Sequence, residues 1–103
     1  MAQRISKTLM EDLISRDITS FSILARILRE EIAHMSREQL GRAMGYQPST
    51  AYAIVQQIED RRKTAGIVSV RNYLSYFSGL DIPYVARLVG QDRAHYLLNQ
   101  LQQ

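Results

Sequence analysis

Uncharged side chains that form hydrogen bonds are concentrated in one stretch near the middle of the chain, residues 47–56. An amide group both donates and accepts hydrogen bonds, and so does a hydroxyl group. Such groups suit recognition of another polar surface. The sequence offers no nucleophile–base pair, paired carboxylates or phosphate loop that would indicate an enzyme. The stretch contributes Gln47, Ser49, Thr50, Tyr52 and Gln56, with the methyl group of Ala53 among them.

Positive charge lies directly after this stretch. The chain has 13 lysines and arginines against 10 acidic residues, a net charge of +3, which is compatible with a polyanionic partner. Residues 61–71 contain Arg61, Arg62, Lys63 and Arg71 and no acid. Neutral polar groups beside a basic run are typical of a surface that binds nucleic acid.

The composition excludes several other classes. Cysteine is absent, so disulfides and thiolate zinc sites cannot form. His34 and His95 are far apart and lack helical metal-ligand spacing, so we expect neither a metal nor a cofactor. No apolar run approaches the roughly 18 residues that span a membrane, and the N-terminal residues lack the apolar segment of a signal peptide. These features predict a cytoplasmic protein without a membrane partner.

Hydrophobic periodicity predicts an all-α fold. Apolar residues recur at helical spacing in residues 6–16, 20–33 and 68–78, and Ser6 and Ser20 or Thr19 could cap the first two helices. We expect a single domain over residues 1–103, a compact bundle of five to seven short helices. Gly79 and Gly90 are expected to end helices, and residues 92–101 form the last helix.

Residues 36–58 carry the main structural signal. Ser36 with Gln39 forms a capping box for a short helix over about residues 37–44, and Gly45 suits the left-handed residue after it. Pro48 suits the first turn of the next helix, which should run to about Arg62. Gly41 would let the two helices approach closely. The pattern predicts a helix-turn-helix.

The run Ser36-Arg37-Glu38-Gln39-Leu40-Gly41-Arg42-Ala43-Met44-Gly45-Tyr46-Gln47-Pro48-Ser49-Thr50 resembles the helix-turn-helix of the phage repressor and Cro type, the xenobiotic-response-element-type family. That family shows a Ser-Gln-Glu-Glu-Leu-Ala opening, a glycine turn and a recognition helix that begins with serine or threonine. The resemblance covers residues 20–82. It implies a DNA-binding core in that range and sequence-specific binding of double-stranded DNA.

The second helix of the motif would enter the major groove by its N-terminal part. With Ala51, Ile54, Val55 and Ile58 as its buried stripe, about 100° of rotation per residue leaves an opposite face for the bases. We predict base contacts from Gln47, Ser49, Thr50, Tyr52, Ala53 and Gln56. We predict phosphate contacts from Ser36, Arg37, Arg42, Arg61, Arg62 and Lys63.

Residues 83–103 contain more apolar side chains than short helices usually need. One interpretation is a homodimer interface, which would suit a transcriptional repressor on a palindromic operator. The interface would use Tyr84, Val85, Leu88, Tyr96, Leu97 and Leu101. The other interpretation is core within one chain. An alternative function also stays open: a protein-interaction module, such as an antitoxin or an adaptor, with secondary or no DNA binding.

Overall fold

The computed structural model describes residues 3–60 and 67–102 of the chain, with the side chains from Val68 in the second range. Within these ranges the fold is all-α, as predicted, with six α-helices. They are α1 (Lys7–Ser15), α2 (Phe21–Ile27), α3 (Arg37–Ala43), α4 (Pro48–Glu59), α5 (Ile67–Tyr76) and α6 (Ile82–Leu101). A π-helical segment, Leu28–Ala33, continues α2, and two short strands are β1 (Gln3–Arg4) and β2 (Phe77–Ser78).

Serine hydroxyls begin the first three helices. Ser6, Ser20 and Ser36 each accept a hydrogen bond from the backbone N–H of the second or third residue of the helix that follows. Such a cap satisfies an N–H that has no partner inside the helix, and replacing it by alanine typically costs about 1 kcal/mol. The capping positions predicted at these three serines are therefore confirmed.

The two strands were not predicted. β1 and β2 pair in parallel, and the Ile5 N–H donates to the Ser78 carbonyl at 2.8 Å. Ile5 is buried, and the pairing holds the N-terminal residues against the end of α5. Because Phe77 and Ser78 leave the helix to pair, α5 ends at Tyr76, before the predicted stop at Gly79.

The core is centred on Tyr73, whose side chain has no exposed area. Its ring stacks on Phe77 with centroids 5.2 Å apart and meets Phe21 edge-on at 6.0 Å. Its hydroxyl donates to the Ala25 carbonyl. Burial raises the pKa of this phenol above its ordinary value, which favours the neutral form that can donate. The three aromatic rings thus join α2 to α5 and β2.

The C-terminal region differs from the prediction. Gly90 does not end a helix, because α6 runs through it without interruption. A glycine inside a helix costs only about 1 kcal/mol relative to alanine. Contacts on both sides of Gly90 offset that cost: Leu88 is buried, and the Asp92 carboxylate accepts from the Ser22 N–H at 3.3 Å.

Half of the predicted dimer interface lies inside the single chain. Tyr84, Val85 and Leu88 are buried in the core, so they are not accessible to a partner and the predicted interface is corrected at these positions. They come from the first half of α6, which packs against α2. Leu97 and Leu101 are exposed and Tyr96 is partly buried. In the ranges that the structure describes, no helix has the length and apolar character needed to cross a membrane.

Candidate nucleic-acid interface

α3 and α4 meet at a close backbone contact. A Cβ atom on Gly41 would overlap the backbone of Ala51, with only 2.7 Å to its Cα, so no other residue type fits there without moving a helix. Gly45, in the turn between the helices, has φ of +98°. The Tyr46 N–H donates to the Gly41 carbonyl at 3.1 Å. The roles predicted for both glycines are confirmed.

α4 has one buried face and one exposed face. Ala51, Val55 and Ile58 are buried and Ile54 is partly buried, as predicted. The six side chains predicted to contact bases are all exposed, and they lie on the first three turns of α4 and the residue before it: Gln47, Ser49, Thr50, Tyr52, Ala53 and Gln56. The helix ends at Glu59, earlier than the predicted Arg62, and Asp60 follows in an extended conformation.

The one carboxylate within α4, Glu59, does not face solvent with these groups. Its side chain is 1% exposed and accepts two hydrogen bonds from Arg29, at 2.7 Å from Nε and 3.0 Å from Nη2. Arg29 is itself buried, and its Nη1 donates to the Met35 carbonyl at 3.1 Å. The bonds to Glu59 raise the pKa of Arg29 against the opposing effect of burial. This pair was not predicted from the sequence.

A second guanidinium reaches the same carboxylate from the start of α3. Arg37 Nε donates to Glu59 Oε1 at 3.3 Å, and Arg37 Nη1 donates to the Tyr52 hydroxyl at 3.3 Å. The bond to Tyr52 raises the pKa of Arg37 most, burial lowers it, and the attraction of Glu59 raises it further. We call Arg29, Glu59 and Arg37 the ion cluster. It connects the end of α4 to the start of α3.

The predicted phosphate contacts have different surroundings. The Ser36 hydroxyl caps α3 by accepting from the Gln39 N–H at 3.1 Å, and the Gln39 amide accepts from the Ser36 N–H at 2.8 Å. Arg42 is exposed in the last turn of α3. Arg61, Arg62 and Lys63 lie outside the described residues. Arg37, also predicted to contact phosphate, instead donates to the Tyr52 hydroxyl, a contact that the sequence did not indicate.

The site holds hydrogen-bonding groups and cations and no grouping suited to a metal. Over residues 3–60 and 67–102 there is no cluster of three or more histidine, aspartate or glutamate side chains that could hold a metal ion. This arrangement is suited to binding a polar, negatively charged surface. The exposed face of α4 is uncharged, and the basic residues Arg37 and Arg42 lie on the adjacent helix α3.

No protein-family model, curated protein or solved structure matches this chain. The resemblance to phage repressor helix-turn-helix proteins therefore stays a prediction from the residues that carry it.

Proposed function

We propose that this chain binds double-stranded DNA in a sequence-specific manner, with α4 as the recognition helix in the major groove. The observation that carries the proposal is the exposed face of α4. It is polar and uncharged over its first two turns, and the one acid of the helix, Glu59, is buried between two arginines. A carboxylate on that face would be repelled by the phosphates on both sides of the groove.

The side chains on this face match the chemistry of base edges. A glutamine such as Gln56 can pair with adenine through two hydrogen bonds, and a methyl group such as that of Ala53 can pack against the thymine methyl. Serine and threonine hydroxyls accept or donate and fit either purine. Exposed side chains at the start of a helix can reach base edges while the buried stripe stays in the protein core.

Basic residues around the helix would supply affinity for the phosphates. Arg42 is exposed beside the turn, and Arg61, Arg62 and Lys63 follow α4 in the sequence. When such a cation neutralises a phosphate, a counterion condensed on the DNA is released. Each such contact therefore makes the binding affinity fall more steeply as the salt concentration rises. The N-terminus of α3, which begins after Ser36, would add a further phosphate contact.

We further propose a homodimer that represses transcription from a palindromic operator. The C-terminal half of α6 exposes three leucines, Leu97, Leu98 and Leu101, with 60%, 57% and 81% of their surface accessible. Covering leucine side chains on a protein surface with a second apolar surface lowers the free energy, because apolar area is removed from water. A two-fold dimer would place two recognition helices about 34 Å apart, one turn of DNA.

The test is selection of bound sequences from a random duplex pool, followed by fluorescence anisotropy at two salt concentrations. We expect an enriched palindrome and a steep loss of affinity as salt rises. Gln56→Ala should weaken binding to the selected site by about 1–3 kcal/mol, and Gln91→Ala, an exposed glutamine on α6, should not. Arg42→Ala should reduce the salt slope by about one, whereas Lys7→Ala on α1 leaves it unchanged.

One observation favours a second candidate, a protein-interaction module. Between α5 and α6 lies an open groove of about 380 Å³, lined mainly by apolar side chains that include Val70, Leu74, Ile82 and Val89. Ile82 is 57% exposed there. A folded protein that binds no duplex at low salt would overturn DNA binding and favour this second function.

A further inference from the structure

We propose that Arg37 is a positioning residue that presents Tyr52 to DNA as a hydrogen-bond donor, so that Tyr52 selects a base with an acceptor in the major groove. The inference rests on the proposed function and specifies one base contact within it. It also assigns Arg37 a role other than the phosphate contact expected from the sequence.

The direction of the hydrogen bond between the two side chains carries the argument. Arg37 Nη1 lies 3.3 Å from the Tyr52 oxygen, and the guanidinium carbon lies 5.7 Å from the centre of the ring. A guanidinium has five donors and no acceptor, so the phenol oxygen must accept this bond. The proton of the Tyr52 hydroxyl is then directed to some other acceptor. Since 50% of Tyr52 is exposed on the α4 face, that acceptor can come from DNA.

Arg37 is held in place by the other two members of the ion cluster. Its Nε donates to Glu59, and Glu59 is fixed by two bonds from Arg29. The Glu59 side chain is 1% exposed and that of Arg29 is 9% exposed, whereas that of Arg37 is 27% exposed. The chain of contacts thus runs from buried charges to a half-exposed phenol. A side chain that is oriented before binding loses less conformational entropy when it meets its ligand.

The base edges offer a definite choice to such a donor. In the major groove guanine presents N7 and O6, adenine presents N7 and thymine presents O4, all of which are acceptors, whereas cytosine presents an N–H donor. Tyr52 should therefore favour guanine, adenine or thymine over cytosine at the position it contacts. A phosphate oxygen is also an acceptor, and it would give affinity without preference for any base.

The experiment compares the sequence preferences of the wild-type chain, Tyr52→Phe, Arg37→Met and the double variant, each by selection from a random duplex pool. Anisotropy then gives the affinity for the selected duplex and for duplexes changed at one position. Tyr52→Phe keeps the ring and the ion cluster and removes only the hydroxyl. We expect it to lose about tenfold discrimination against cytosine at a single position while its other preferences stay unchanged.

Arg37→Met should relax the preference at the same position, and the double variant should discriminate no worse than either single variant. A purely structural role for Arg37 would instead weaken all positions together. Arg42→Ala, which removes an exposed arginine from α3, is the matched control and should leave every base preference intact.

Two results would overturn the inference while the proposed function stands. In one, the wild-type chain selects a sequence and Tyr52→Phe keeps every preference. In the other, Tyr52→Phe weakens binding to all duplexes equally, which would indicate a phosphate contact. A wild-type chain that selects no sequence would overturn the proposed function and the inference together. Circular dichroism of each variant establishes that it is folded before its preferences are compared.

Discussion

The α3–α4 unit and the C-terminal half of α6 present opposite kinds of surface. In the α3–α4 unit the exposed face is polar, and the ion cluster fixes the helix from the buried side. In the last three turns of α6 the exposed face carries leucines, and Leu101 has 81% of its surface accessible. The first surface is complete within one chain and suits a polar ligand. The second leaves apolar area uncovered and suits another apolar surface.

The glycines of the two regions also differ, in the space available beside them. Gly41 in α3 has no room for a side chain, because the backbone of Ala51 occupies the space. At Gly90 in α6, no atom other than those of the adjacent residues and the helix's own backbone lies within 4 Å of where a Cβ would be. The packing of the first region depends on its glycine, and that of the second does not.

The largest effect is expected from a substitution in the ion cluster, which connects the end of α4 to the start of α3. Glu59→Gln removes the buried carboxylate that pairs with both guanidiniums of the ion cluster and leaves Arg29 with only the half-exposed Glu30, so it should lower the free energy of unfolding by about 3 kcal/mol. Urea denaturation followed by circular dichroism measures it. Glu31→Gln is the control: this glutamate pairs with Arg16 at 3.2 Å with 54% of its side chain exposed, and it should cost less than about 1 kcal/mol. Equal effects at the two positions would contradict the role given to the ion cluster.

The next effect concerns the contact between α3 and α4. Gly41→Ala should lower the free energy of unfolding by about 2 kcal/mol, because the new methyl group must push two backbones apart. Gly45→Ala is the comparison: it has open space but φ of +98°, so it should cost only about 1 kcal/mol from conformation alone. A Gly41→Ala protein as stable as the wild type would show that α3 and α4 are further apart in solution than this contact requires.

A smaller effect is expected at the apolar end of α6. The double variant Leu97→Gln, Leu101→Gln should raise the dissociation constant of the proposed dimer at least about tenfold, or about 1.4 kcal/mol. Because both side chains are exposed, the stability of the single chain should change by no more than about 0.5 kcal/mol. Sedimentation velocity over a concentration series measures the dimer, and Gln100→Ala is the control on the same helix. A wild-type chain that is monomeric throughout would rule out the dimer.

The sequence predicted the α3–α4 unit well because its signals are local. The capping box at Ser36 and Gln39, the turn at Gly45 and Pro48 in the first turn of α4 each act over a few residues. Their geometry depends little on the rest of the chain. The exposed face of α4 followed from helical periodicity alone.

Contacts between distant residues could not be predicted in the same way. Arg29 and Glu59 are 30 positions apart, and nothing in the spacing of either residue indicates that they pair. The pairing of β1 with β2 and the burial of Tyr84 also depend on where separate elements pack. A charged residue on an amphipathic helix is normally assigned to solvent, and only a partner from another helix changes that.

The smallest effect is expected at Gly90. The sequence predicted that this glycine ends a helix, whereas in the folded chain α6 continues through it. A glycine favours the end of a helix when it adopts a left-handed conformation, and alanine is costly there. Gly90 lies inside a continuous helix with open space beside it, so Gly90→Ala should raise the free energy of unfolding by about 0.5–1 kcal/mol. Gly79→Ala is the matched control, because its φ of +85° and its contact with Ile5 should make the same change destabilising. Loss of stability in Gly90→Ala would mean that α6 breaks at this residue in solution, as the sequence alone predicted.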